Sequence, residues 1–591
     1  MINININNRG FQFEDGISVL KAAEMAGIKI PTLCYLNGRE PKGACRVCLV
    51  EIIGAKTLAA ACSTPITEGM KILTNSKRVR EARKTVIELL LSEHNGECQT
   101  CERNEDCELQ ALAREYGVSD VRYQGERAYI HIDTSTPALI RDNGKCIKCR
   151  RCVTVCGEIQ DVAALFPQGR GFQTIVGPAF TLNLDMVACV QCGQCAAVCP
   201  VGAIIEKSHI QKVWEAIDDP EQYVIVQTAP AIRAALGECF DNEAGTLVTG
   251  KMVTALKMLG FDKVFDTNFA ADLTIMEEGS ELLMRLKNKL ADGNQNVALP
   301  QFSSCSPGWI KYMEYFYPEM LENISTCKSP QQMFGAIAKT YFAEKMAIDP
   351  DKLTVVSVMP CTAKKYEAQR LEMNSSGVSD VDFVLTTREL AKMIKQAGID
   401  FNNLPDSKMD SPMGISSGAA DIFANTGGVM EAAVRTAYEI VTGRELPTEN
   451  LHLESLMGLT GVKEASLMIE GALPDWSFLE GVELKVAVAH GLGNARKVIE
   501  QIKEGKEYHF VEVMTCPGGC IGGGGQPRFT DDEVRMKRIN AIYQEDEGKK
   551  LRKSHENPDI ITLYKDFLKD GPLGKKSHHL LHTHYFTRER C

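Results

Sequence analysis

The placement of cysteine constrains this chain more than any other feature of it. Twenty-two cysteines occur in 591 residues, and fifteen of them lie in the first 199. Two stretches, KCIKCRRCVTVC and ACVQCGQCAAVC, repeat the spacing C-x2-C-x2-C-x3-C, with first cysteines 43 residues apart. Thiols at such short, regular intervals converge once the chain turns, and converging thiolates hold metal. Disulfides are the competing use, but they persist only in oxidising compartments. The opening MINININNRGFQFEDG has no basic segment followed by an apolar one. No apolar run reaches about 18 residues, so a soluble, cytoplasmic chain is expected and metal outranks disulfides.

Each repeat carries the ligand run of bacterial two-cluster ferredoxins, whose fourth cysteine serves the other cluster. One [4Fe–4S] cluster is then expected at Cys146, Cys149, Cys152 and Cys199, and another at Cys189, Cys192, Cys195 and Cys156. Upstream, Cys34, Cys45, Cys48 and Cys62 are spaced C-x10-C-x2-C-x13-C, with Gly38 and Gly43 to let the backbone wrap closely. This group resembles the [2Fe–2S] domain at the start of complex-I-type subunits, with tetrahedral zinc as the alternative. HNGECQTCERNEDC supplies His94, Cys98, Cys101 and Cys107. It resembles a His-ligated [4Fe–4S] centre of the same families, and a zinc knuckle is again the alternative. An imidazole in place of a thiolate removes one negative charge and shifts the potential upward.

Length allows about four domains. Residues 1–78 read as a small β-rich domain, with strict alternation over Ile2–Ile6 and helical periodicity over 19–26. Residues 79–127 are charged and helical around the His/Cys group, and 128–209 hold the repeat. From about residue 213, apolar strand-like runs (224–226, 353–359, 486–489) alternate with amphipathic stretches (387–397, 428–442), an α/β catalytic region over 210–565. Residues 566–591 read as a basic, His-rich tail, solvent-exposed or docking another subunit. The net charge of −11 argues against nucleic acid and against an anionic membrane. GLGNARK lacks the third glycine of a dinucleotide fingerprint and reads as a strand–turn–helix.

Three later segments, SSCSPGW, MPCTAKKYE and VMTCPGGCIGGGGQP, resemble the signature segments of [FeFe]-hydrogenases. TIMEEGSEL, KSPQQMFGA, TTRELAKMIK, NTGGVMEAA and KSHEN are similar to the same family, so the resemblance covers nearly the whole chain. It implies a multidomain α+β and α/β protein: a [2Fe–2S] ferredoxin-like β-grasp domain, a His-ligated [4Fe–4S] domain, a two-cluster ferredoxin domain and an α/β H-cluster domain. The implied cofactors are one [2Fe–2S], three accessory [4Fe–4S] clusters and the H-cluster, a cubane joined to a two-iron unit with CO, cyanide and a dithiolate bridge. Cys361, Cys516 and Cys520 would hold the cubane, Cys520 bridging to the two-iron unit. The glycines of 522–525 would let backbone approach a bulky cofactor. Lys364 would pair with a cyanide, Met359 and Met514 would pack on the two-iron unit, and Ala229 and Pro230 would line the pocket. Ala231 stands where many relatives have a cyanide-binding serine. The implied proton relay starts at Cys305 and runs through Glu281, Ser325 and Glu278 to Arg285; without the resemblance, 277–281 reads as a solvated helix face. The implied reaction is 2 H⁺ + 2 e⁻ ⇌ H₂. The implied partners are an NAD(P)(H)/flavin-binding subunit and a small [2Fe–2S] subunit of complex-I type, or a soluble ferredoxin.

The chain departs from the family at SSCSPGW, where well-studied relatives read TSCCPGW. Positional transfer leaves Ser306 at a cubane-ligand position. Ser306 could ligate through oxygen, Cys305 could be the ligand through a local shift, or Cys327 could reach in. A hydrogen-sensing or electron-wiring subunit is therefore one rival reading. The iron–sulfur subunit of a complex-I-type dehydrogenase is the other, though it has no need of MPCTAKKYE or CPGGCIGGGG.

Overall fold

The computed structural model describes every residue except Gly125, Arg127, Ala128, Phe529 and Cys591. The expected boundary between residues 127 and 128 lies outside the described residues. Among the described residues no helix is long and apolar enough to cross a membrane.

At the N-terminus, Ile2–Ile6 and Arg9–Phe13 form a hairpin around Asn7 and Asn8, whose φ values of 49° and 66° suit the tight turn that matches strand twist. Lys71–Leu73 adds to the first strand in parallel, and Leu49–Ile52 and Ala59–Ala60 complete a five-stranded sheet. Helix Val19–Met25, N-capped by Ser18, buries Val19, Leu20, Ala22 and Ala23 in the core beside Ile4, Ile6 and Ile72.

The cysteine repeat folds as two copies of one device. Each run leaves its loop through a left-handed residue, Arg150 (φ 65°) or Gly193 (φ 71°), into a short helix, Arg151–Thr154 or Gln194–Val198. Strands Leu139–Asp142 and Ile204–Glu206 pair antiparallel at its ends.

Two four-stranded sheets build the larger region. In the first, Lys263–Asp266, Tyr223–Thr228, Leu353–Met359 and Phe383–Thr386 lie side by side, all parallel. Every residue of Leu353–Met359 is buried, which explains a largely apolar run broken only by Thr354 and Ser357. In the second, Gln301–Phe302, Phe510–Met514 and Glu483–His490 are parallel, with Val462–Met468 antiparallel at the edge. GLGNARK is the turn after Glu483–His490 and the start of helix Leu492–Lys503. The loops at the carboxyl ends of parallel strands from both sheets converge, the usual place for a site in such folds.

Two expectations are corrected. The charged stretch 277–281 is not a solvated face, since Glu277, Glu278 and Glu281 are 0%, 2% and 5% exposed. They lie on the long helix Thr267–Leu290, which packs against Pro330–Ile337 and turns these carboxylates inward. The C-terminal segment is not a free tail either. Helix Lys575–Leu581 buries Leu580 and Leu581 in the catalytic core, and His582 forms a backbone bridge with Cys327.

Candidate active site

One mostly apolar cavity lies where those strand ends meet. Tyr223–Thr228 delivers Ala229 and Pro230, Leu353–Met359 delivers Met359 and Cys361, and Phe510–Met514 delivers Met514 and Cys516. Cys305 and Ser306 come from the loop after Gln301–Phe302, and Cys520 closes the wall. Thr267, Gln331, Phe423 and Thr515 also line it. None of those four was singled out in the sequence, although Gln331 sat in the noted segment KSPQQMFGA and Thr515 in VMTCPGGCIGGGGQP.

The donor set suits a sulfur-held metal group. Burial pushes the Cys520 thiol up to about 12, and the nearby Cys361 adds to the shift. Burial and then Cys361 and Cys520 raise Cys516 as well, so three thiols crowd one dry space. As free thiols they stay neutral there; only a bound cation cluster draws off their protons. The remaining wall is mostly apolar or thioether.

Ser306 Oγ is 2.7 Å from Thr515 Oγ1 and accepts from Thr515 N at 3.3 Å. Cys305 is buried near Glu278, Cys520 and Lys364. Lys364 Nζ donates to Cys305 O at 3.0 Å and pairs with Glu367 at 2.9 Å. Cys327 does not line the cavity: its thiol packs between Glu281 and His582, which removes it as a cubane ligand.

From Cys305 a line of polar groups runs outward. Ser304 N donates to Glu278 Oε1 at 3.1 Å. Burial, then the neighbouring Glu281, pushes the Glu278 carboxyl up to about 8. The Ser325 hydroxyl lies near Glu278 but donates to Glu281 Oε2 at 2.7 Å, leaving Glu278 Oε2 without a hydrogen-bond partner among the described residues. Arg285 Nη2 then meets Glu281 Oε1 at 2.6 Å. The expected order of the two glutamates is thus reversed, with Glu278 inner and Glu281 outer. One helical turn sets this order: position 278 faces the Ser304–Cys305 loop, and 281 sits one turn nearer Arg285.

The accessory cysteines gather in four groups. Cys34 is held down to about 6 by a hydrogen bond from Cys45, Cys48 and Cys62 stand 3.4 Å apart, and Cys34 also acts on Cys62. His94 Nδ1 donates to Lys145 O at 2.9 Å, which puts the lone pair on Nε2. Cys107 lies near Cys101, and Cys98 opens the turn that Cys101 closes. Cys146, Cys149, Cys152 and Cys199 share one neighbourhood, and Cys189, Cys192, Cys195 and Cys156 another, so each fourth cysteine crosses over.

These groups are joined. Arg151 lies between Cys34 and the Cys149–Cys199 pair. Arg103 donates to Cys199 O at 2.6 Å, tying in the His94 group. At the inner end Cys192 neighbours Cys516, Thr362 Oγ1 donates to Gln191 O at 2.8 Å, and Gln194 Nε2 donates to Gly522 O at 2.9 Å. Within the glycine run 522–525, Gly523 lines the cavity and Gly524 serves this joint. A Cβ on Gly524 would meet Cys192 O and, at 2.8 Å, the Gly193 backbone, and one on Gly525 would meet Thr386 at 2.8 Å.

Family comparison agrees with this layout. Residues 222–524 match the iron only hydrogenase large subunit, C-terminal domain, and 532–588 the iron hydrogenase small subunit. Residues 1–77 match a 2Fe-2S iron-sulfur cluster binding domain, 83–122 the NADH-ubiquinone oxidoreductase-G iron-sulfur binding region, and 145–203 a 4Fe-4S dicluster domain. The chain is 52% identical to NADP-reducing hydrogenase subunit HndD of Solidesulfovibrio fructosivorans, over 100% of both chains. It is 41% identical to iron hydrogenase 1 of Clostridium pasteurianum, over 99% of this chain and 100% of that one. A solved variant of [FeFe]-hydrogenase HydA1 from Chlamydomonas reinhardtii is 44% identical, covers 64% of this chain and 99% of its own, and superposes with a TM-score of 0.58. The small-subunit match over 532–588 takes in the packed C-terminal segment. The chain belongs to the iron-only hydrogenase family, as an oxidoreductase catalytic subunit that carries its own iron–sulfur domains.

Proposed function

We propose that this chain interconverts 2 H⁺ + 2 e⁻ and H₂ reversibly at an H-cluster seated in the cavity. The observation that carries the reading is the union, in one dry space, of Cys361, Cys516 and Cys520 with a polar line leading outward from Cys305. Those three cysteines would hold the cubane, with Ser306 at its fourth position and Cys520 as the bridge. When bound, that group supplies hydrogen binding and heterolytic cleavage.

The protein supplies protons, orientation and dryness. Lys364, held by Glu367, offers a buried ammonium to an anionic ligand. Met359, Met514, Ala229 and Pro230 exclude water. Cys305 is the first proton donor, Glu278 receives and gives as a neutral acid, and Ser325 turns its hydroxyl between Glu278 and Glu281. Glu281 passes the proton to solvent beside Arg285.

One [2Fe–2S] cluster at Cys34, Cys45, Cys48 and Cys62 and one [4Fe–4S] at His94, Cys98, Cys101 and Cys107 would form two entry points. Both adjoin the Cys146 group, which hands on to the Cys189 group and then to Cys516. Two entries suit two electron partners. With the full-length similarity to an NADP-reducing subunit, this supports a complex with an NAD(P)(H)/flavin-binding subunit and a small [2Fe–2S] subunit, or use of a soluble ferredoxin. The test is hydrogen-dependent reduction of a viologen by the matured chain. Uptake supports the reading; a fully iron-loaded chain that takes up none is a sensor, the alternative that Ser306 and its bond to Thr515 favour.

A further inference from the structure

Beside the proposed proton line lies a second donor cluster that the reaction does not use. Cys327 Sγ stands 3.9 Å from Glu281 Oε2 and 4.0 Å from His582 Nδ1. All three residues are buried, and their ligand atoms lie within 4.8 Å of one another. Zinc bonds of roughly 2.0–2.3 Å at tetrahedral angles set neighbouring donor atoms about 3.5 Å apart, so a small inward shift closes the shell. Thiolate, imidazole and carboxylate are the donor types zinc takes in proteins. One thiolate and one carboxylate also cancel the charge of a divalent ion.

The surroundings of His582 point the same way. Its Nε2 faces Glu277 Oε2 at 3.2 Å, and its Nδ1 is 2.7 Å from Thr326 Oγ1. Glu277 is itself fixed by Tyr564 Oη at 2.5 Å, by Leu573 N at 2.8 Å and by Ser577 Oγ. A carboxylate on the far ring nitrogen puts the proton there and the lone pair on Nδ1, the arrangement that orients metal-binding histidines. Glu277 has no place in the proton line, and this role accounts for its burial. The exposed His578 ring stacks on His582 at 4.8 Å, so the cluster lies one ring beneath the surface.

We propose that Glu281, Cys327 and His582 form a site for a zinc-type divalent cation, which ties down Glu281 and closes the proton line when filled. Thr326 Oγ1 or a water it holds completes the shell. The three ligands come from the long helix, the segment after Ser325 and the C-terminal segment, so the ion would also staple the C-terminus to the catalytic domain. The inhibitory half rests on the proposed part of Glu281 in proton transfer; the binding half does not.

The experiment loads matured, anaerobic holoenzyme with stoichiometric Zn²⁺, removes unbound ion, and reads zinc content, zinc-edge X-ray absorption and hydrogen evolution. Cys327→Ala and His582→Gln are treated alike, each with its own zinc-free rate as reference. His582→Gln keeps hydrogen-bonding groups toward Thr326 and Glu277, so it guards against a folding artefact in Cys327→Ala. The expected result is one retained zinc with a single sulfur ligand at about 2.3 Å, absent from both variants. Turnover falls by about 10²-fold in the parent alone, the scale of a lost acid–base step. No retained zinc, or zinc in an all-sulfur shell as in a damaged cluster, overturns the site. Zinc bound as described with turnover unchanged overturns the closure, and with it Glu281 as a relay member.

Discussion

Replacing Glu278 by Gln separates proton delivery from everything else the buried line does. The carboxyl is neutral over most of the working range because burial and Glu281 raise it to about 8. At pH 7 such a group is roughly nine-tenths protonated, and one pKa unit is about 1.4 kcal/mol. An amide of the same shape therefore replaces a group already uncharged, and its carbonyl still accepts from Ser304 N. The expected stability change is under about 1 kcal/mol. The amide cannot relay a proton, so hydrogen evolution from reduced methyl viologen, at matched iron content, should fall by about 10²- to 10⁴-fold. The parent rate should decline as pH rises through about 8, where Glu278 loses its acid form, while the residual rate of the variant shows no such step. The linked stability term has the same direction. The folded value lies above the ordinary one near about 4.3, so the contribution is full below that range and is lost as pH rises through about 8. A Gln variant that folds, loads iron and evolves hydrogen within about threefold of the parent would refute the relay, since an acid–base step is worth far more than that.

Other outcomes follow from the same geometry. Arg388→Leu strands Glu206, whose carboxyl Arg388 and Arg528 hold well below the usual range although burial opposes them; it should cost about 3 kcal/mol. In the parent that stabilisation is present above the ordinary carboxylate range and fades as pH falls below it, so thermal melts of the variant should lose this acid dependence. Gly279→Ala, with no atom within 4 Å of the new Cβ, should stabilise the long helix by about 0.8–1 kcal/mol. Gly524→Ala drives a methyl into the Cys192–Gly193 backbone and should destabilise by about 1–3 kcal/mol while slowing viologen-driven evolution. Ser306→Cys puts a soft ligand where Thr515 now bonds a hydroxyl, and the paramagnetic spectrum of the reduced cubane should shift; an unchanged spectrum places position 306 away from iron.

What sequence could and could not reveal divides by range. The cysteine spacings are local, so the crossed pairs of Cys156 and Cys199 were readable from a 43-residue repeat. Strand Leu353–Met359 and helix Gly428–Thr442 appeared with the bounds the periodicity suggested, because burial on all sides and an amphipathic face leave clear patterns. The order of Glu278 and Glu281 was not readable. Both lie on one buried helix, and only the Ser304 loop and Arg285, distant in sequence, tell them apart. The C-terminus misled for a similar reason: its histidines and lysines look solvated, while Leu580, Leu581 and His582 find partners hundreds of residues upstream. The glycines of 522–525 were visible, but not that one of them, Gly524, packs on the Cys192 loop. Position 306 could be flagged as odd from sequence alone; its bond to Thr515 could not.

The most direct test of the account is hydrogen evolution from reduced methyl viologen by the chain purified without oxygen after co-expression with hydrogenase maturation factors. Sustained evolution is expected, with Cys361, Cys516, Cys520 and the Cys305–Ser306 pair supporting a complete centre. Negligible evolution from a chain whose accessory clusters are all intact would contradict it and leave a hydrogen-sensing or electron-wiring subunit.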